Sequence, residues 1–471
     1  MKDSIDFGSM NISTLFRKLL IPTVLGMVFS ALFVITDGIF VGKGIGSDAL
    51  AAVNITAPLF MIAAGIGLMF GVGASVVASI HLSQGKRKVA SINITQAIAF
   101  STLLILILSA LCLYFIEPLA RLLGSSDRLL PLAVEYMAWY IPFLVFYEVL
   151  NIGMFCIRLD GSPTYTMMCN TVAAILNIIL DYIFIFELGW GIMGAAFATS
   201  LGTVVGGLMT LIYLLRFSRT LHLCRIKLSI KSLLLTLRNI GYMIKLGSSA
   251  FISEASIACM MFLGNYVFIR HLGEDGVAAF SIACYFFPII FMVYNAIAQS
   301  AQPIISYNYG ASNPDRVKKA FWLLLKVSMA YATLLWLFIM VFPKGFAGLF
   351  TTDAALLDFT KRALRIYLAC LFLFGIQISC QMAFNSIGYA KESIMVAVMR
   401  KFVLLIPLIY IIPRFWTGDQ VSAVYMAEPV ADFFAVSFTV FLFRKQFKKA
   451  LESIRGKKDV LNASGTPSVP A

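Results

Sequence analysis

Long apolar runs separated by short polar connections dominate this chain. Twelve such runs stand at about 16–41, 50–80, 93–115, 132–156, 166–187, 192–215, 243–270, 277–306, 321–342, 364–386, 394–414 and 421–443. A helix needs about 20 consecutive apolar residues to cross the hydrocarbon core of a bilayer, and every run reaches that length. The pattern predicts an all-α membrane protein with twelve transmembrane helices. Two stretches interrupt it. Residues 216–245 form a basic, semi-polar connector, and the tail from Arg444 is basic before ending in NASGTPSVPA, a composition typical of disorder. The predicted organisation is therefore an N-lobe over 1–215 (spans 1–6), a cytoplasmic connector over 216–242, a C-lobe over 243–443 (spans 7–12), and a cytoplasmic, basic and disordered tail over 444–471.

The two lobes resemble each other. Gly46-Ser-Asp-Ala-Leu-Ala-Ala-Val-Asn-Ile55 matches Gly273-Glu-Asp-Gly-Val-Ala-Ala-Phe-Ser-Ile282, and Gly161 matches Gly388, both 227 positions apart. Gly85 and Gly310, in equivalent loops, lie 225 apart. An even number of spans per unit places both halves the same way up. Two pseudo-symmetric six-helix lobes around a central cavity are expected, the arrangement that alternating access requires.

Composition agrees with lipid as the solvent. Hydrophobic residues make up 60% and charged residues 13% of the 471, against roughly 25% charged in soluble domains; mean hydropathy is +0.89. The net charge of +14 would suggest nucleic acid in a soluble protein, but the basic residues gather in alternate connections. With the N-terminus inside, Lys86, Arg87, Lys88, the connector, Arg316, Lys318, Lys319 and the tail all face the cytoplasm. That bias is an orientation signal beside anionic lipid. It predicts both termini in the cytoplasm of a bacterial inner (cytoplasmic) membrane protein, with no nucleic-acid partner. The first thirteen residues hold two aspartates and no apolar core, so no cleavable signal is expected. The eight cysteines show no CxxC spacing and read as packing residues. Walker A, HExxH and GxSxG patterns are missing from the sequence, so neither an enzyme nor a bound cofactor is expected.

Acids inside the spans carry the candidate chemistry. A charged group at the centre of a membrane helix costs about 2.5–3.5 kcal/mol or more and needs a reason. Six stand away from the span ends: Asp37, Glu148, Asp181, Glu254, Glu428 and Asp432. Asn177 and Asp181 are four apart and share a helix face, with Thr199 in the next span. Carboxylate, amide and hydroxyl oxygens are the ligands of hard cations such as Na⁺. Two carboxylates in one poorly hydrated pocket also resist full ionisation, which suits a proton carrier. Glu254, with Gln299 and Asn265 as neutral neighbours, is a candidate substrate contact or second ion site. Arg400 and Lys401 either pair with an acid such as Glu254 or reach for the cytoplasmic headgroups. Glu148, Glu428 and Asp432 receive no role from the sequence.

Asp37-Gly-Ile-Phe-Val-Gly-Lys, Arg158-Leu-Asp-Gly-Ser-Pro, Asn177-Ile-Ile-Leu-Asp-Tyr-Ile-Phe, Gly191-Ile-Met-Gly-Ala-Ala-Phe-Ala-Thr199 and Gln302-Pro-Ile-Ile-Ser-Tyr-Asn-Tyr-Gly-Ala occur in order along almost the whole chain. Together they resemble the multidrug and toxic compound extrusion (MATE) transporters, in the DinF/MepA-like branch. The resemblance implies two lobes and a secondary antiporter that exports small organic, cationic drugs or toxic compounds in exchange for H⁺ or Na⁺. It implies a cation-coupling site at Asp37, Asn177, Asp181 and Thr199, joined by Tyr136 or Tyr140 of the fourth helix. The only metal it implies is Na⁺ at that site. NorM-like relatives add a Glu of the seventh helix, matched by Glu254, and an Asp of the tenth; this chain has no acid in its tenth span. A monomer is expected. The alternative is a lipid-linked saccharide flippase of related architecture, kept open by Arg400 and Lys401.

Overall fold

The computed structural model describes residues 5–226, 229–343, 354–416 and 420–463, except the side chains of 260–289, 354–357, 359, 420–421 and 457–463. The described backbone is helical almost throughout and contains no strand. In lipid, a helix satisfies its own backbone hydrogen bonds, and an open sheet edge cannot. Eleven elements follow in chain order: α1 Ile12–Gly44, α2 Ser47–Ser83, α3 Arg87–Tyr114, α4 Leu130–Leu159, α5 Pro163–Glu187, α6 Gly191–Phe217, α7 Ile230–Gly310, α8 Pro314–Val341, α9 Thr360–Ser386, α10 Ala390–Phe415 and α11 Ser422–Gly456. Among the described residues, α1–α6 and α8–α11 are each long and apolar enough to cross a membrane. The seventh and eighth expected spans both fall in α7. The connection expected between them, with Gly273, lies among residues 260–289, outside the described side chains. This is a multi-pass α-helical membrane protein.

Local signals set the helix ends. The Asn11 side chain caps α1 by accepting from the Ser13 amide at 2.9 Å, and Pro163 opens α5 at its first position, where no backbone donor is needed. Pro142 sits in a tight 3-10 turn, Ile141–Phe143, inside α4, and a similar turn, Leu371–Leu373, interrupts α9. Gly161 and Gly388 both adopt left-handed backbone, at φ 87° and 82°. Gly85 does so at φ 74°, and its counterpart is Ser312 at φ 53°. Gly310, the glycine expected to mark that loop, instead ends α7. Ser312 lies 227 positions after Gly85, the same offset as the other landmarks.

The chain divides into two compact units, 1–254 and 255–470. In unit 1, α1 turns Ile21, Leu25, Val28, Leu32, Ile35 and Ile39 outward. Their three- and four-residue spacing is one stripe of a helix, and its apolar character fits lipid. Helices approach closely where glycine removes the side chain. A Cβ on Gly247 of α7 would lie 1.9 Å from the Met69 carbonyl oxygen of α2, and one on Gly73 of α2 would lie 2.3 Å from the Met243 carbonyl oxygen of α7. Gly247→Ala is therefore expected to destabilise the protein by about 1–3 kcal/mol through overpacking. A lowered melting temperature in detergent, followed by fluorescence-detected size exclusion, would register it; an unchanged one would contradict the packing.

The connector is bound to unit 1 rather than hanging from it. Asp160, in the turn between α4 and α5, accepts from the Tyr213 hydroxyl (2.8 Å), the amides of Arg219 (2.7 Å), Thr220 (2.8 Å) and Leu221 (3.1 Å), and the Thr220 hydroxyl (2.7 Å). Further on, Gln96 of α3 donates to Thr236 and accepts from Asn239. Unit 2 has its own core, in which Tyr294, Leu371, Phe374, Leu405 and Tyr425 pack together.

Candidate functional site

Three close approaches bring the predicted cation site together. A Cβ on Gly26 of α1 would lie 3.4 Å from the α5 backbone at Met167, and one on Gly44 would lie 2.4 Å from Ile185. The helix α1 is thus held against α5 on either side of Asp37. A Cβ on Gly202 of α6 would lie 2.8 Å from the Ala173 carbonyl oxygen and 3.1 Å from Asn177, so α6 is pressed against α5 one turn beyond Thr199. The shared face of Asn177 and Asp181 does the rest.

The Asn177 amide donates to the Thr199 hydroxyl at 3.1 Å. The carboxyl groups of Asp37 and Asp181 adjoin each other within hydrogen-bonding reach. Tyr136 borders both acids and Thr199, and Tyr140 stacks on it with ring centroids 5.9 Å apart. Tyr140 in turn borders Tyr147 and Asp37. Asp181 directly precedes a wide, π-helical turn, Tyr182–Glu187, at the end of α5; such turns gather at functional sites.

What the oxygens lack matters most. Asp37 Oδ1, both carboxylate oxygens of Asp181, Asn177 Oδ1 and the Tyr140 hydroxyl are buried, and none has a hydrogen-bond partner. Buried polar groups are ordinarily satisfied. Two facing carboxylates offer only acceptors to each other, and like charges about 4 Å apart repel by roughly 4 kcal/mol at an effective dielectric of 20. A shared proton or a bound monovalent cation removes both penalties. Carboxylate, amide and phenol oxygens are a fit donor set for Na⁺. Among the described residues, no cluster of three His, Cys, Asp or Glu side chains offers a different kind of metal site.

The remaining candidates do not join this group. Glu254 is half-buried on α7, near Gly65 of α2 and bordering Tyr147. Gln299 is buried on α7 within unit 2, and Asn265 lies outside the described side chains. Glu148, which the sequence left without a role, is fully buried on α4 beside Gly67 and Asn151, with neither carboxylate oxygen partnered.

Arg400 and Lys401 pair with acids, as one of the two expectations held, but the acids are Glu428 and Asp432 rather than Glu254. Arg400 Nη2 bonds Glu428 Oε1 at 3.0 Å, Arg400 Nε bonds Asp432 Oδ1 at 2.5 Å, and Lys401 Nζ bonds Glu428 Oε1 at 2.8 Å. The guanidinium also lies over the Phe374 ring, 4.6 Å from its centroid. The reason is register. Glu428 and Asp432 lie four apart on one face of α11, and a wide turn over Met399–Leu405 in α10 sets both bases against them. The i,i+4 acids were the sequence signal; their partners were not legible. Both bases are thus paired with buried acids.

Comparison with known proteins agrees with this architecture. The MatE family profile matches residues 22–183 and 248–411. A protein of Shewanella oneidensis named FAD transporter is 29% identical over 416 residues, spanning 87% of this chain and 90% of its own. The multidrug export protein MepA of Staphylococcus aureus (strain bovine RF122) is 26% identical over 401 residues, spanning 83% and 85%. Among solved structures, a MATE protein in complex with MaD3S superposes with a TM-score of 0.86 at 24% identity, over 94% of this chain and 98% of that one. A MOP-superfamily transporter from Pyrococcus furiosus gives 0.86 at 25% identity, over 94% and 97%.

Proposed function

This chain belongs to the MatE family, whose members are transporters and not enzymes, and from that premise we propose that it is a cation-coupled exporter of small organic compounds. The observation that carries the reading is the approach of half-buried Asp37 to fully buried Asp181, with Asp37 Oδ1 and both Asp181 oxygens left without a donor. An external H⁺ or Na⁺ binds there, with Asn177, Thr199 and Tyr136 around it and Tyr140 behind. The site alternates between charge-compensated and repelling forms, and the compensated form permits a different packing of α1 against α5. Export follows when ion and substrate favour different states of the protein. The relatives named MepA support an organic drug as substrate, and the unpartnered carboxylate oxygens beside Tyr136 and Tyr140 support a cationic one. The protein sits in the bacterial cytoplasmic membrane with both termini inside, an orientation supported by the Lys and Arg bias, and a monomer is the working state.

Proteoliposomes test the coupling. A pH gradient alone, then a sodium gradient alone, is imposed on vesicles holding a fluorescent cationic dye. At least one gradient is expected to drive accumulation against the dye gradient. Failure of both overturns the proposal, and a response to one names the ion.

A second reading concerns cargo. The Shewanella relative is named for FAD, so an exported flavin dinucleotide is the alternative substrate for the same pump. Flavin accumulation in the same vesicles without dye transport would favour it.

A further inference from the structure

The two units handle their buried acids in opposite ways. In unit 1, among the described residues, the acid pair has no basic partner: Asp37 and Asp181 adjoin, with Asp37 Oδ1 and both Asp181 oxygens unpartnered. In unit 2 two carboxylates and two bases close into a neutral quartet with contacts of 2.5–3.0 Å. All four side chains are nearly sealed, with side-chain exposures of 10% for Arg400, 14% for Lys401, 3% for Glu428 and 8% for Asp432.

The two clusters draw on corresponding helices of the repeat, although Asn177 and Asp181, shifted by 227, fall at Leu404 and Leu408, one to two turns past Arg400 and Lys401. The helices α4, α5 and α6 of unit 1 match α9, α10 and α11 of unit 2 in order. The match is marked by the 3-10 turns in α4 and α9 and the left-handed glycines at Gly161 and Gly388. The first site draws tyrosines from α4, Asn177 and Asp181 from α5, and Thr199 from α6. The quartet draws Phe374 from α9, Arg400 and Lys401 from α10, and Glu428 and Asp432 from α11, with Tyr367 of α9 also bordering Arg400. Shifted by 227, Thr199 falls at position 426, within one helical turn of Glu428. Tyr294 of α7 borders the quartet, and its buried hydroxyl has no partner. So does Glu428 Oε2, which keeps an unused acceptor beside the two bases.

We propose that Glu428 and Asp432 form the second half's cation site, held shut because Arg400 and Lys401 supply as tethered groups the positive charge that unit 1 takes from solution. This rests on the reading of Asp37 and Asp181 as an exchanging site. The ligand class is a monovalent cation, H⁺ or Na⁺, admitted only when the tethered bases are removed. A guanidinium makes two directed bonds to two carboxylates, and its charge cannot leave by deprotonation. An external cation would have to displace it into an apolar interior at a cost of several kcal/mol. In the wild type, then, unit 2 keeps its charge balance unchanged, and any exchanged ion passes through unit 1.

Carbodiimide mapping tests this on the intact protein. Dicyclohexylcarbodiimide modifies protonated carboxyl groups in apolar surroundings, and mass spectrometry of the peptides locates the adducts. In wild-type protein in sodium-free, mildly acidic buffer, adducts are expected at Asp37 or Asp181 and absent at Glu428 and Asp432. In the Arg400→Gln, Lys401→Gln double variant, adducts are expected to appear at Glu428 or Asp432 and to be suppressed by added NaCl. Adducts at Glu428 or Asp432 in the wild type overturn the proposal, and that arm requires no variant to fold. A monodisperse double variant without adducts there also overturns it. Missing adducts at Asp37 and Asp181 count against the exchanging site of unit 1 and leave the quartet's result to be read by itself.

Discussion

Asp181→Asn and Asp37→Asn are each expected to abolish ion-driven dye export while leaving folded protein in the membrane. An amide is nearly isosteric with a carboxyl group, but it does not take up a proton and binds a hard cation weakly. Either change therefore removes the compensated and repelling pair of states on which coupling depends. It also removes the like-charge repulsion that the ionised pair would carry. Melting temperature in detergent should accordingly hold or rise as export falls to the level of empty vesicles. That opposite movement separates a functional loss from a folding defect. Full efflux by both variants would refute the assignment of these two residues.

Arg400→Met is expected to act on stability instead. It leaves Glu428 and Asp432 buried with only Lys401 between them. Removing one partner of a buried ion pair typically costs about 3–5 kcal/mol, because the surviving charge loses its compensation. Replacing the acid as well, in Arg400→Met with Asp432→Leu, should recover much of the loss, since an apolar pair of similar volume is often as stable as the ion pair it replaces. Thermal stability of both variants by size exclusion is the measurement. A single variant as stable as the wild type would mean that the quartet contributes nothing to the fold.

Much of the first site was legible because its residues break a local rule. Asp37 and Asp181 are carboxylates where the surrounding pattern demands apolar groups, and the i,i+4 spacing of Asn177 and Asp181 puts them on one face. The choice between Tyr136 and Tyr140 was not legible. They are also four apart, so helical periodicity treats them alike, and only the approach of α6 with Thr199 places Tyr136 at the acids. The same limit applies to Arg400. The sequence marks it as a buried base in want of an acid, but Glu254 and Glu428 satisfy that want equally until α10 and α11 are set side by side.

The apolar runs, the duplicated landmarks and the misplaced charges were determined by the chain alone. A membrane helix closes its hydrogen bonds within a few residues of itself, so its existence, length and unusual residues are local properties. Tertiary structure decided which charges meet. Asp37 finds Asp181, and Arg400 finds Asp432, through contacts between helices whose spacing is set by bare backbone at Gly26, Gly44 and Gly202 and by a widened turn at Met399–Leu405. Those contacts join residues far apart in the chain, and no period in the sequence encodes their partners.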